Sequence, residues 1–223
     1  MQNETIKYVL VWSGWLRLSH WVIAFGVLFQ ITSAWAIRMN PPNYQFWYDW
    51  HLIVGQIILV ALSLRVILLF TDGASNWRSF VDYRSQFKAI IQMIKFYLSF
   101  TRFPLPNWYA HNPLWKIIYL FMLVVLSACI FTGIAYNSSF ILLGYLSAEW
   151  HSTLASIIVV LSSAHIITAF LHDWKGKGAF ISAIINGHRY FHYSSNNEVG
   201  VHKITKTPSV HISVDTIKKN KTG

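Results

Sequence analysis

WHSTLASIIVVLSSAHIITAFLH, residues 150–172, decides how this chain is read. At about 1.5 Å of rise per residue a helix of this length crosses a hydrocarbon core of roughly 30 Å. Its ionisable side chains are all histidines: His151, His165 and His172. Three more runs match it, Leu16 to Ile37, His51 to Phe70 and Leu114 to Tyr136. Ser138 to Leu146 is apolar but too short to span, and reads as a re-entrant or interfacial piece of the connection between the third and fourth spans. The first run exceeds a signal-peptide core and lacks a small-x-small cleavage site behind it, so it reads as a retained span.

Composition agrees. Of 223 residues, 54% are hydrophobic and 12% charged, with a mean hydropathy of +0.40, which describes no water-soluble surface. The 18 Lys and Arg outnumber the 8 Asp and Glu, but they flank apolar runs instead of lining a groove, which excludes a nucleic-acid binder. One cysteine, Cys129, excludes a disulfide framework, a thiolate-bound iron–sulfur cluster and a zinc finger, leaving the 10 histidines for metal chemistry. The expected fold is an all-α four-span membrane bundle over residues 1–193, with spans at about 16–37, 51–70, 114–136 and 150–172. A polar tail, residues 194–223, is expected to be disordered.

Every Lys and Arg except Arg38 and Arg65 lies in residues 1–17, 71–116 or 173–223, that is, at or beyond one side of the spans. The positive-inside rule then puts both termini and the middle loop in the cytoplasm. Tryptophans such as Trp15, Trp35, Trp50, Trp115, Trp150 and Trp174 fall near the span ends, where an amphipathic indole is stable. In the middle loop Phe87, Ile90, Ile91, Ile94 and Leu98 recur at helical spacing with Lys88, Gln92 and Lys95 between them, which predicts an amphipathic helix on an anionic leaflet.

Depth pairs the histidines. His151 and His165 are 14 residues apart, about 21 Å along a helix with a net rotation of only about −40°, so both point into the bundle from one face. His20 lies at the inner level and His51 at the outer. Each fourth-span histidine thus meets one partner, His20 with His165 and His51 with His151. A lone intramembrane histidine is more often a packing residue, but four at matching depths make two stacked bis-histidine sites. Such sites suit a six-coordinate haem iron, whereas zinc wants four protein ligands or an open position.

Arg65, 14 residues past His51 on the same face, falls at the inner level, where no span carries an Asp or Glu, and a haem propionate would answer it. Arg17, one turn before His20, could do the same or be an ordinary positive flank. Gly55 lets a flat macrocycle or a neighbouring helix approach the backbone, and Gly133 reads the same way. The lack of a C-x-x-C-H motif predicts non-covalent b haem.

An ordered set of motifs carries a resemblance. It runs R-L-S-H-W at Arg17 to Trp21, H-L-I-V-G at His51 to Gly55, H-N-P at His111 to Pro113 and F-T-G at Phe131 to Gly133. It continues with W-H at Trp150 and His151, the later His165, H-D at His172 and Asp173, and I-N-G-H-R at Ile185 to Arg189. Over about residues 15–193 the chain resembles the b-type cytochrome subunit of membrane-bound nickel–iron hydrogenases. These belong to a wider group of bacterial di-haem cytochromes b that includes formate dehydrogenase membrane subunits.

The resemblance implies a conduit in the bacterial inner membrane with two b haems. A periplasmic hydrogenase would pass electrons through its iron–sulfur small subunit to the outer haem, and the inner haem would reduce menaquinone or ubiquinone. It also implies a quinone site near the inner haem, formed by His111 and Asn112, with His172 or Asp173 relaying protons. Helix capping by Asn112 before Pro113, and the position of His172 and Asp173 at a helix end, are the plainer readings of those residues. The connections 38–49 and 137–149 are shorter than the hydrogenase pattern. Other readings of the same histidines are a free-standing or differently partnered di-haem cytochrome, including a quinol-oxidising one, and a proton-coupled transporter. The transporter lacks the inverted repeats or broken helices it would usually show.

Overall fold

The computed structural model describes residues 5–71, 76–81, 87–99, 102–103, 108, 111–138, 140–175, 180–193 and 210–213. Four helices are long and apolar enough to cross a membrane: α1 (Gly14–Met39), α2 (Tyr44–Leu69), α5 (Pro113–Ile134) and α6 (Ser147–Lys175). Between α2 and α5 lie a short turn of helix, α3 (Arg78–Val81), and α4 (Phe87–Leu98). The fold is an all-α membrane bundle.

Lipid, not water, explains the exposed residues. Val60 and Ile134 are 71% and 74% exposed, large apolar side chains that only a hydrocarbon solvent accommodates in such number. Several hydroxyls in the spans return to their own helices, as Ser63 does to the Leu59 carbonyl and Ser127 to that of Leu123, which pairs their protons where lipid cannot.

The chain divides into two compact units, and the larger comprises Trp15–Thr168. Its apolar core is a middle layer: Val27 of α1, Val125 and Cys129 of α5 and Ile158 of α6, with Ile23, Ile31 and Leu154 packed against them. Ile158 sits seven residues from both His151 and His165, and buried Ile58 seven from both His51 and Arg65, so the layer lies midway between the two histidine levels. Gly26 makes this approach possible, since a Cβ there would stand 2.6 Å from Ile58 Cγ1. Where lipid is as apolar as leucine, such close packing is what holds helices together.

The connection between α5 and α6 is a β-hairpin, β2 (Ile141–Leu142) against β3 (Tyr145–Leu146). Its two-residue turn has positive φ at both Leu143 (51°) and Gly144 (84°), the pairing that the right-handed twist of a tight hairpin favours. The Trp150 indole N–H pins it by donating to the Leu142 carbonyl at 2.9 Å. The stretch expected to be re-entrant or interfacial is thus a strand pair, because a turn at residues 143–144 satisfies its backbone within itself.

The smaller unit comprises Met1–Gly14 and Ala169–Gly223. Here β1 (Thr5–Leu10) pairs antiparallel with β4 (His188–Tyr193) on one side and β5 (Val210–Ser213) on the other. The I-N-G-H-R motif is the hinge of this sheet. Gly187, at φ 89°, ends α7 (Phe180–Asn186); its N–H returns to the Ala183 carbonyl and its own carbonyl accepts the N–H groups of Val11 and Trp12. Asn186 Oδ1 then takes the N–H of His188, which starts the strand, and the next residue, Arg189, is buried, burial lowering its guanidinium to about 10 and leaving it cationic at neutral pH. Of the tail expected to be disordered, Val210–Ser213 form a strand, as their β-branched Val210 and Ile212 favour. Residues 194–209 and 214–223 lie outside the described residues.

Candidate functional site

Inside the larger unit the four imidazoles stand in two pairs. The ring centres of His20 and His165 are 6.3 Å apart, and those of His51 and His151 are 6.4 Å apart. Two imidazoles bound to one iron at about 2.0 Å, with about 1.1 Å more from each nitrogen to its ring centre, place those centres roughly 6.2 Å apart. Both spacings are those of an axial pair. Among the described residues no group of three or more His, Cys, Asp and Glu side chains is placed to hold a metal ion, so the imidazoles act in twos.

The outer pair is oriented by the protein. His151 Nδ1 lies 2.9 Å from the Cys129 carbonyl, an acceptor only, so Nδ1 carries the proton and Nε2 keeps its lone pair. His51 Nδ1 lies 2.8 Å from the Ser33 hydroxyl, while the Gln30 side-chain amide donates to the His51 carbonyl at 2.8 Å. Gly133 forms a wall for the second ring. A Cβ there would stand 2.9 Å from His151 Cε1, so only glycine admits the imidazole in this place. Gly55 has a different neighbour from the one expected, since a Cβ there would meet Gln30 Nε2 at 3.0 Å.

At the inner level His20 Nδ1 is buried without a protein partner among the described residues, and His165 is exposed, its ring centre 5.2 Å from that of Trp115. An imidazole exposed on a span surface and an unanswered buried nitrogen are what a planar, polar-edged macrocycle would complete. The donor set fits a b haem at both levels.

Arg65 of α2 is buried. Its partners were not foreseen. Nε donates to the Tyr119 hydroxyl at 2.9 Å and Nη1 to the Leu16 carbonyl at 3.0 Å, so two protein oxygens already answer a buried guanidinium. Arg17, one turn before His20, is half-buried.

His111 and Asn112 begin α5. Asn112 is the helix cap: its Oδ1 accepts the N–H groups of Leu114 and Trp115, and Pro113 occupies the first helical position. Its Nδ2 reaches the Tyr97 hydroxyl at 3.4 Å, which also receives the Trp115 indole N–H at 3.1 Å. Burial pushes Tyr97 up to about 12, against hydrogen bonds from Trp115, Asn112 and Thr168 that hold it down. His111 packs on Phe80 and Tyr119, with ring centres at 4.9 and 5.6 Å. In the smaller unit His172 is buried, and Asp173 Oδ1 accepts the Ile181 N–H at the start of α7, a structural bond.

Sequence reasoning missed Ser33, the Cys129 carbonyl, Tyr97 and Tyr119. The two tyrosines carried a signal, as hydroxyls at the levels of polar partners. A backbone carbonyl carries none.

Comparison with known proteins points the same way. The chain is 25% identical over 214 residues to a probable Ni/Fe-hydrogenase B-type cytochrome subunit of Bradyrhizobium diazoefficiens, covering 82% of this chain and 86% of that protein. A Rhizobium leguminosarum protein of the same description is 26% identical, covering 82% of this chain and 89% of that one. A third, from Cupriavidus necator, is 22% identical, with coverage of 85% and 90%. No solved structure matches. The family model of prokaryotic cytochrome b561 matches residues 11–187, the segment that holds all four paired imidazoles and all four spans. On that match the chain belongs to the prokaryotic cytochrome b561 family, and is a multi-pass membrane cytochrome b that binds haem b and serves electron transfer.

Proposed function

We propose that the chain binds two b haems, one between His20 and His165 and one between His51 and His151, and joins a periplasmic hydrogenase to the quinone pool of the bacterial inner membrane. The observation that carries this reading is the pair of centroid separations, 6.3 and 6.4 Å, at levels 14 residues apart. When bound, haem iron supplies one-electron exchange with little change of ligation. The protein's residues do the rest. His151 would present Nε2 from a tautomer fixed by the Cys129 carbonyl, with His51 opposite it, while Arg65 would offer a positive charge to a propionate at the inner level. Ile58, Val27 and Ile158 fill the space between levels and keep water from it.

The partner reading comes from the names of the three relatives, and the orientation from the positive-inside distribution, with both termini in the cytoplasm. An iron–sulfur small subunit would dock at the outer face. Quinone would bind near the inner pair, where Asn112, His111 and Tyr97 offer hydrogen-bonding groups close to the His165–Trp115 contact. Residues 1–193 would form the membrane domain and 194–223 a cytoplasmic tail.

The test is a pyridine haemochrome assay on purified protein. Two non-covalent b haems per chain are expected. One haem, or a covalent c-type signature, would sink the two-level reading. Isolation from membranes with a hydrogenase small subunit attached, and hydrogen-dependent quinone reduction by that complex, test the partner.

A further inference from the structure

Helix α1 carries no ligand at the outer level, yet it touches the ligand His51 at two points. The Gln30 amide donates to the His51 backbone carbonyl at 2.8 Å, and the Ser33 hydroxyl lies 2.8 Å from His51 Nδ1. Ser33 is fully buried, and its hydroxyl lies within hydrogen-bonding distance of two groups, the Gln30 carbonyl at 3.2 Å and His51 Nδ1 at 2.8 Å. The carbonyl can only accept, so the arrangement that satisfies all three groups has the hydroxyl donating to the carbonyl and His51 Nδ1–H donating to the hydroxyl. Gly55 completes the arrangement. It stands one turn after His51 on α2, and a Cβ there would press on Gln30 Nε2 at 3.0 Å, at the place where the amide reaches the His51 carbonyl.

We propose that Ser33 is a positioning residue for the outer haem, fixing the tautomer and raising the donor strength of His51, with Gln30 and Gly55 holding α1 in the register this requires. The inference rests on the two-haem reading and deepens it. An imidazole that donates Nδ1–H to a neighbour is the more basic ligand at Nε2, and a more basic ligand favours ferric over ferrous iron. The opposite ring is served in the same way by the Cys129 carbonyl, whereas His20 Nδ1 is buried without a protein partner among the described residues. The outer pair is therefore the better donor set, and Ser33 is the part of it that a side-chain substitution can remove.

The experiment is redox titration of the purified cytochrome, followed by optical and low-spin ferric EPR spectra, for Ser33→Ala, Ser33→Thr and His51→Ala. In Ser33→Ala one of the two transitions should move upward, its EPR signal should change, and that haem should be lost about tenfold more readily to a competing apoprotein. Ser33→Thr keeps the hydroxyl and should keep the wild-type potential. The transition that moves should be the one His51→Ala abolishes.

Unmoved transitions in Ser33→Ala, equal shifts in Ala and Thr variants, or movement of the transition that survives His51→Ala each overturn the assignment. If His51→Ala leaves both haems in place, the two-haem reading fails and takes this one with it. Should Ser33→Ala fail to accumulate, the wild-type protein still answers. After exchange into D2O, double-resonance spectra of the haem that depends on His51 should show a hydrogen-bonded Nδ1 deuteron, and its absence overturns the proposal.

Discussion

At Gly133 a single methyl group would reach the ring of His151. The Cβ of an alanine would stand 2.9 Å from Cε1 and 3.1 Å from Nδ1, inside van der Waals contact, and the ring cannot swing freely because Nδ1 is tied to the Cys129 carbonyl on the same helix. Gly133→Ala should therefore tilt Nε2 off the axis toward His51 and lower the haem-to-polypeptide ratio from two toward one, with the inner-level spectrum retained. Loss of both haems together would show that the residue serves folding alone. Arg65 gives a second test. Replacing it by leucine removes a buried positive charge, so the inner-haem potential should fall, because reduction adds an electron that the guanidinium stabilises. The same change takes from the Tyr119 hydroxyl its Arg65 donor, at about 1–3 kcal/mol if that group finds no other partner, while the Leu16 carbonyl still accepts from the Ser19 hydroxyl at 3.0 Å. A potential that does not move while thermal stability drops would assign Arg65 to the Tyr119 and Leu16 oxygens alone. Sequence showed that Arg65 needed a partner at that depth, since a charge in a span always does. It did not name the partner, because the Leu16 carbonyl exists whatever residue 16 is and Tyr119 is 54 positions away.

Helices α4 and α5 meet through Tyr97, Asn112 and Trp115. Buried Met93 and Phe96 face inward from α4, while Phe87, Lys88, Ile91, Ile94, Lys95 and Leu98 remain exposed as a mixed apolar and basic stripe. That stripe is what the periodicity of residues 87–98 foretold. The polar bridge was not, because hydrogen bonds between elements leave no periodic trace. Tyr97→Phe removes the acceptor of the Trp115 indole N–H, and should cost about 1–3 kcal/mol if that proton finds no other partner. Tyr97 itself, raised to about 12 by burial, should still be protonated at pH 11, where an exposed tyrosine near 10 has ionised. The tyrosinate absorbance of wild type minus Tyr97→Phe measures this, and a difference that titrates near 10 refutes it. A group whose folded-state value is raised keeps its proton while the unfolded chain loses it, so its contribution to stability is intact below about 10 and disappears as pH climbs toward 12. The spans themselves were legible because length and composition suffice to cross lipid. The β1–β4–β5 sheet was not, since its strands are nearly two hundred residues apart in the chain and only the fold brings them into register.

On the scale of the whole molecule the sequence feature that counts is a spacing of 14. It recurs between His151 and His165 on α6 and between His51 and Arg65 on α2, and it returns a helix to nearly the same face about 21 Å along its axis. Two levels follow, each closed by one histidine of α6, with the Val27–Ile58–Ile158 layer between them. The architecture sets how variants combine. On the proposed two-haem reading, His51 and His151 would act as a unit, so His51→Ala and His151→Ala should abolish the same spectral and redox component, and the double variant should look like either single one. Variants at different levels share no partner and lie beyond the distance at which effects couple, so His20→Ala with His151→Ala should remove both components, each as it does alone. Haem-to-polypeptide ratios and potentiometric titrations of the three single and two double variants measure this. If His20→Ala and His151→Ala removed one common component, the helices would have to be arranged so that α6 presents its outer histidine to α1, and the 6.3 and 6.4 Å pairs would not be the functional ones.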